Sequence, residues 1–221
     1  PVMVGSATKD IGVLTLLHMI NKYIPSVSEK EAVKGQDDLG NEVVRNYSDD
    51  EPFSALVFKT MIDPFIGTIS IMQIKSGTLQ KDQEVYVSNS GNTEKATPVF
   101  TLMGKTQVPL ELAHAGDIVA MAKVNEVKTG TTLSEKKNVV IYPEVDTPNP
   151  TMYVAVHAVN KKDEDKLSNA LSKLQLEDNT IEVRRNKETS QLLIGGQGMI
   201  HLGYIIDKMK NMFKVELETE D

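Results

Sequence analysis

The stretch LLIGGQGMIHLGYIIDKMKNMF, Leu192 to Phe213, decides how the last third of this chain is read. Leu192 to Ile194 is a short apolar run that ends on Gly195 and Gly196. From Gly198 onward the period changes. Ile200, Leu202, Ile205, Ile206, Met209 and Met212 recur at helical spacing, so the pattern predicts a strand, a tight reversal and an amphipathic helix. Glycine is the residue of choice at such a reversal. Upstream, Met152 to Val159 alternates as a strand. Lys162 to Leu176 predicts a helix with Leu167, Ala170, Leu171 and Leu174 on one face. Ile181 to Arg185 and Gln191 to Ile194 form a hairpin about Asn186 to Ser190, and Lys214 to Glu218 supplies a closing strand. The resulting order, βαββαβ, is that of a ferredoxin-like split βαβ domain over residues 147–221.

The joint Asp146-Thr-Pro-Asn-Pro150 separates this domain from a different pattern over residues 51–146. Phe53 to Phe58, Thr68 to Ile74, Glu84 to Ser88, Thr97 to Leu102 and Ile118 to Ala122 read as short strands. Asp63-Pro64, Ser76-Gly77, Asn89 to Asn92, Ala115 to Asp117 and Thr129-Gly130 are turn signals between them. Many short strands without a helical period predict a closed β-barrel. Residues 29–50 are polar and charged and read as a linker or loop. In residues 1–28, Pro1 to Val4 suits the end of a buried strand. Val13, Leu16, Leu17, Ile20 and Ile24 mark an amphipathic helix stopped by Pro25. That unit cannot bury its own apolar face and reads as the tail of another domain.

Composition bounds the function. The 221 residues carry a net charge of −7, so attraction of the whole molecule to phosphate is unavailable and any nucleic-acid contact must be a local patch. Thr151 to Asp221 hold 10 basic and 12 acidic residues, so the C-terminal third is no basic block either. The three arginines are Arg45, Arg184 and Arg185. With no cysteine, disulfides, thiolate metal sites and cysteine nucleophiles are excluded, which fits a cytoplasmic protein. No secretory leader pattern opens the chain and no apolar run is long enough to span a bilayer.

Several stretches together resemble the middle of elongation factor G and its relatives, the ribosomal translocase GTPases. GSATKDIGVLTLLHMINKYIPS, Gly5 to Ser26, is similar to the end of that family's GTPase domain. EPFSALVFKTMIDPFIGTISIMQIKSGTL, Glu51 to Leu79, resembles the opening of its second domain. AGDIVA, Ala115 to Ala120, and TGTTL, Thr129 to Leu133, resemble later turns of the same barrel. GQGMIHLGYIIDKMKNMFKVE, Gly196 to Glu216, lies where the third domain carries Gly-x-Gly-Glu-Leu-His-Leu-Glu.

The resemblance implies a longer parent that binds GTP and Mg²⁺ and works on the ribosome, touching ribosomal RNA and ribosomal proteins, with no role for DNA or membrane. It implies no catalysis by this stretch and no cofactor of its own. The phosphate loop and the guanine-reading Asn-Lys-x-Asp are not in this sequence. Ser6 and Ala7 match the last guanine-contact loop. Lys59, Lys75 and Lys81 near the barrel's first hairpin, and the pair Arg184-Arg185, are candidates for RNA or ribosomal contact. Asp63, Pro64, Phe65 and Gly67 match the family's hairpin tip, and read alone they are turn chemistry.

Two positions depart from the family. Its glutamates on either side of Leu-His-Leu correspond here to Met199 and Gly203. Losing a first-turn carboxylate costs about 0.3–1 kcal/mol. A glycine within a helix costs about 1 kcal/mol against alanine. These losses suggest a divergent, non-translocating paralogue as one alternative to a translocase, and the tetracycline-resistance type of ribosomal protection protein, which shares the domain plan, is another. Gly195-Gly196-Gln197 also spells the tripeptide with which class I release factors hydrolyse peptidyl-tRNA. A hydrolytic loop needs an exposed, mobile tip, whereas a helical pattern starts within two residues of Gln197. His201, with Ile205 one turn on, has no partner at metal-ligand spacing.

Overall fold

The computed structural model describes residues 1–63, 65–104, 106–122, 124 and 126–220, with the backbone only at residue 161. The chain opens irregularly. Ser6 and Ile11 bridge each other, and α1 spans Val13–Tyr23. Pro1 to Val4, expected as a strand end, is not a strand: Val2 and Val4 are exposed and have nothing to pair with among the described residues. The apolar face of α1 stays open, with Leu16, Leu17 and Ile20 all exposed.

Residues 29–50, expected as a linker, contain the hairpin of β1 (Val33–Gln36) and β2 (Glu42–Arg45). The turn explains it. Asp37 accepts from the N–H groups of Leu39 (2.9 Å) and Asn41 (2.8 Å), and Gly40 takes positive φ. The hairpin is fastened to the barrel by Gln36 and Ile141, which exchange backbone hydrogen bonds of 2.9 and 2.7 Å.

The barrel comprises β3 (Ser54–Asp63), β4 (Gly67–Ser76), β5 (Leu79–Gln80), β6 (Glu84–Val87), β7 (Asn92–Lys95), β8 (Val99–Met103), β9 (Thr106–Pro109), β10 (Leu112–Ala113), β11 (Ile118–Ala122) and β12 (Thr132–Ser134). Eight of these form one antiparallel sheet in the order β7-β6-β12-β3-β4-β11-β8-β9. The closing element is short. β5 directly precedes the β6–β7 margin and β10 follows the β8–β9 margin, so their antiparallel pairing draws the two margins together. Phe53, Val57, Met72, Ile74, Leu79, Val85, Met121 and Leu133 fill the interior. A chain of hydroxyls crosses the buried base, formed by Tyr142, Ser54 and Ser76, each contact 2.6 Å. Gly77 is a position only glycine serves: φ is +67°, and a Cβ there would lie 2.6 Å from the backbone of Glu51 and Phe53.

Beyond the joint come β13 (Met152–Ala158), α2 (Glu164–Glu177), β14 (Glu182–Arg185), β15 (Leu192–Gly196), α3 (Met199–Lys208) and β16 (Leu217–Glu220). The sheet order is β14-β15-β13-β16, all antiparallel. This is the expected ferredoxin-like arrangement. Leu167, Ala170, Leu171 and Leu174 are the buried face of α2, as the period predicts. The second helix is less regular. After Lys208 it widens into a π-helical turn, Met209–Phe213, which ends where Lys214 turns left-handed. The closing strand therefore starts at Leu217, later than its sequence pattern predicts. Ile200, expected on the buried face, is 92% exposed; of the expected face, Leu202, Ile205 and Met209 are buried. α2 lies against β3, seating this domain on the barrel.

Candidate nucleic-acid interface

The tip of the β3–β4 hairpin lies beside the ferredoxin-like domain, where Ile62, Asp63, Gly67 and Thr68 line a cavity of about 310 Å³ with Lys173, Met212 and Phe213. Asp63 Oδ1 accepts from the N–H groups of Phe65 (2.8 Å) and Ile66 (2.9 Å), and Gly67 takes φ +92°. The turn chemistry read from sequence is thus present, and it leaves Phe65 96% exposed. Pro64 lies outside the described residues.

The basic candidates do not assemble into one patch. Lys75 is half-buried; its ammonium donates to Gln73 Oε1 (2.7 Å) and the Tyr47 hydroxyl (3.2 Å) and sits over the Tyr47 ring. Lys81 is paired with Glu111 at 2.9 Å, and that carboxylate raises the lysine pKa above its ordinary value. Lys59 is exposed on β3 and turns toward the ferredoxin-like domain, where it lines a cavity of about 210 Å³ with Glu177, Asp178, Tyr204 and Lys208. Glu177 and Lys208 pair across that cavity at 2.8 Å, both largely buried.

Arg184 and Arg185 are both exposed on the edge strand β14. Arg184 stacks on Tyr153, 4.1 Å from the ring centroid, and its guanidinium is 3.9 Å from Glu182. Tyr153 donates to Glu182 at 2.5 Å, which raises its phenol pKa. Arg184 is therefore held flat on the open face of the sheet, while Arg185 points to the opposite face. Among the candidates, Lys59, Lys75 and Arg185 have no ion pair among the described residues, and of these Lys75 is held by hydrogen bonds to Gln73 and Tyr47.

Ser6 and Ala7 sit in the bridged loop before α1 and line a cavity of about 260 Å³ with Val4, Ile11 and Leu16. His201 is engaged at both ring nitrogens: its Nδ1 accepts from the Gln197 N–H (3.1 Å) and its Nε2 faces Asp178 at 3.3 Å. No group of three metal-ligating side chains occurs among the described residues. No helix there is long and apolar enough to cross a membrane. The Gly195-Gly196-Gln197 tripeptide is not a mobile tip either. Both glycines lie buried in β15, and the Gln197 amide donates to the carbonyls of Pro148 and Asn149. Sequence reading missed these glutamine and histidine roles. The one available signal was a polar residue between two glycines at a strand-to-helix junction.

A closed barrel with an exposed aromatic hairpin tip, joined through a proline-rich strap to a ferredoxin-like domain, defines a translation-factor type of architecture. Comparison with known proteins agrees. Residues 52–136 match the model of elongation factor G domain 2, and residues 147–221 match that of Elongation Factor G, domain III. A crystal structure of a protein from Thermus thermophilus superposes on all of the chain with a TM-score of 0.81 at 28% identity. This chain spans 31% of that protein's length. The chain belongs to the elongation factor G family, of which it carries the second and third domains.

Proposed function

We propose that this chain is the central part of an elongation factor G-like ribosomal GTPase, docking on the ribosome and passing the state of a GTPase domain to other domains. One observation carries the proposal: both family domains occur in the family's order, in a structure matched over its whole length. The parent would supply GTP and Mg²⁺ sites, with Ser6 and Ala7 completing the guanine pocket. The barrel would rest on ribosomal RNA through Phe65, with Lys59 of the barrel and Arg185 of the ferredoxin-like domain as further candidate contacts. Lys75, Lys81 and Arg184 are engaged within the protein and would serve as braces. Work on the ribosome implies a cytoplasmic protein.

A divergent paralogue that no longer translocates is the second reading. It is favoured by Met199, which is 65% exposed where the family has a carboxylate, and by Gly203, whose Cβ position is open space. One experiment addresses both. Ribosomes should accelerate GTP hydrolysis by the full-length protein, and Phe65→Ala should weaken that acceleration. Hydrolysis indifferent to ribosomes would refute the docking role. Hydrolysis stimulated without tRNA movement would favour the paralogue.

A further inference from the structure

The strap between the domains, residues 146–151, has no regular secondary structure of its own. It is nonetheless pinned to one turn. The Thr151 N–H donates to Gly196 O (2.9 Å) and the Thr151 hydroxyl donates to Gln197 O (3.1 Å). The Gln197 side-chain amide donates to Pro148 O (3.1 Å) and Asn149 O (3.0 Å). An amide nitrogen carries two N–H groups, and here each has a carbonyl to meet.

The same glutamine is tied inward. Its backbone N–H donates to His201 Nδ1 at 3.1 Å. That bond requires a lone pair on Nδ1, which places the ring proton of neutral His201 on Nε2. Nε2 faces Asp178 Oδ2 at 3.3 Å. Asp178 caps the end of α2 and also accepts from the Thr180 N–H (2.9 Å) and hydroxyl (2.6 Å). Since α2 is the helix seated on β3, one run of hydrogen bonds connects the strap to the domain seam.

We propose that Gln197, His201 and Asp178 form a lock on the interdomain hinge, closed while His201 is neutral and opened by its protonation. A second ring proton would sit on Nδ1 and turn the acceptor of the Gln197 N–H into a donor. Two donors would then face each other, and the turn that grips the strap loses its inner anchor. Among the described residues, the charged group paired with His201 is Asp178, 3.3 Å from Nε2. Glu177, Lys208 and Lys59 line the cavity beside Asp178, with the first two paired to each other. The device is internal to the chain and stands independently of ribosome binding.

The chain contains no cysteine, so spin labels can be placed cleanly at Lys137→Cys on the barrel and Lys187→Cys on the ferredoxin-like domain, both exposed. Electron–electron distance measurement should give one narrow distribution at about pH 8 and a broadened one at about pH 5.5. Gln197→Glu and Gln197→Met both lack the amide donors and should give broad distributions at both pH values, with unchanged circular dichroism. Distributions in both variants as narrow as that of the parent at the higher pH would overturn the lock. A parent distribution that stays narrow at the lower pH would overturn the role of the histidine proton.

Discussion

The hydroxyl chain at the base of the barrel has a direction that can be deduced and tested. Ser76 Oγ lies 2.7 Å from the carbonyl of Pro52, which can only accept. Ser76 therefore spends its proton there and must accept from Ser54. Ser54 in turn spends its proton on Ser76 and must accept from Tyr142 (2.6 Å at each step). The order is Tyr142 to Ser54 to Ser76 to Pro52, with Tyr142 2% exposed and both serines fully buried.

The two ends of the Tyr142–Ser54 bond are thus unequal. Tyr142→Phe removes the first donor and leaves Ser54 with its own donation intact, at a cost of about 1 kcal/mol. Ser54→Ala strands the buried phenol without an acceptor and deprives Ser76 of a donor, at a cost of about 2–3 kcal/mol. On the Ser54→Ala background, Tyr142→Phe removes the stranded group and should cost about 0 kcal/mol or restore stability. Urea unfolding followed by circular dichroism measures all four corners of the cycle. The deduced direction is wrong if Tyr142→Phe is the costlier single change, or if the two costs simply add. An alkaline titration gives a second reading of the same group. Burial pushes the Tyr142 phenol up to about 12. A raised acid contributes stability that is complete below the unfolded value near ~10 and is lost as pH climbs through about 12. Tyr142→Phe should remove that portion of the alkaline loss.

Two further outcomes follow from other parts of the molecule. Leu171→Ala empties a fully buried site under the ferredoxin-like sheet and should cost that domain about 2–5 kcal/mol, with amide resonances of the barrel unfolding at their original urea midpoint. The Ala115 N–H and then the His114 ring hold the Asp49 carboxyl below the ordinary carboxylate range. Its contribution is complete above that range and is lost as pH falls through its lowered value. Asp49→Asn should therefore flatten the acid limb of the urea midpoint measured from about pH 6 to about pH 2.

Sequence was sufficient wherever local periodicity or local turn chemistry governs the outcome. The buried face of α2 is the period-3.6 set Leu167, Ala170, Leu171 and Leu174, and the fold buries each one. The Asp63 turn and the glycine at position 77 are likewise written in residue type, because few residues tolerate those backbone angles. The split βαβ order was legible because its elements alternate period in a fixed sequence. The hairpin of β1 and β2 was not. Its strands are short and polar, and they are fastened by Ile141 and the Asn138 carbonyl, which lie far along the chain.

Folding alone set the state of the charged and polar candidates. Lys75, Lys81 and Arg184 look alike in sequence to Lys59 and Arg185. What separates them is that Tyr47, Glu111 and Tyr153 arrive beside the first three from distant segments. Gln197 shows the same limit most plainly. Two glycines and a glutamine permit a mobile loop or a pinned one. The choice fell to the carbonyls of Pro148 and Asn149 and the ring of His201, which only the folded chain brings within hydrogen-bond reach.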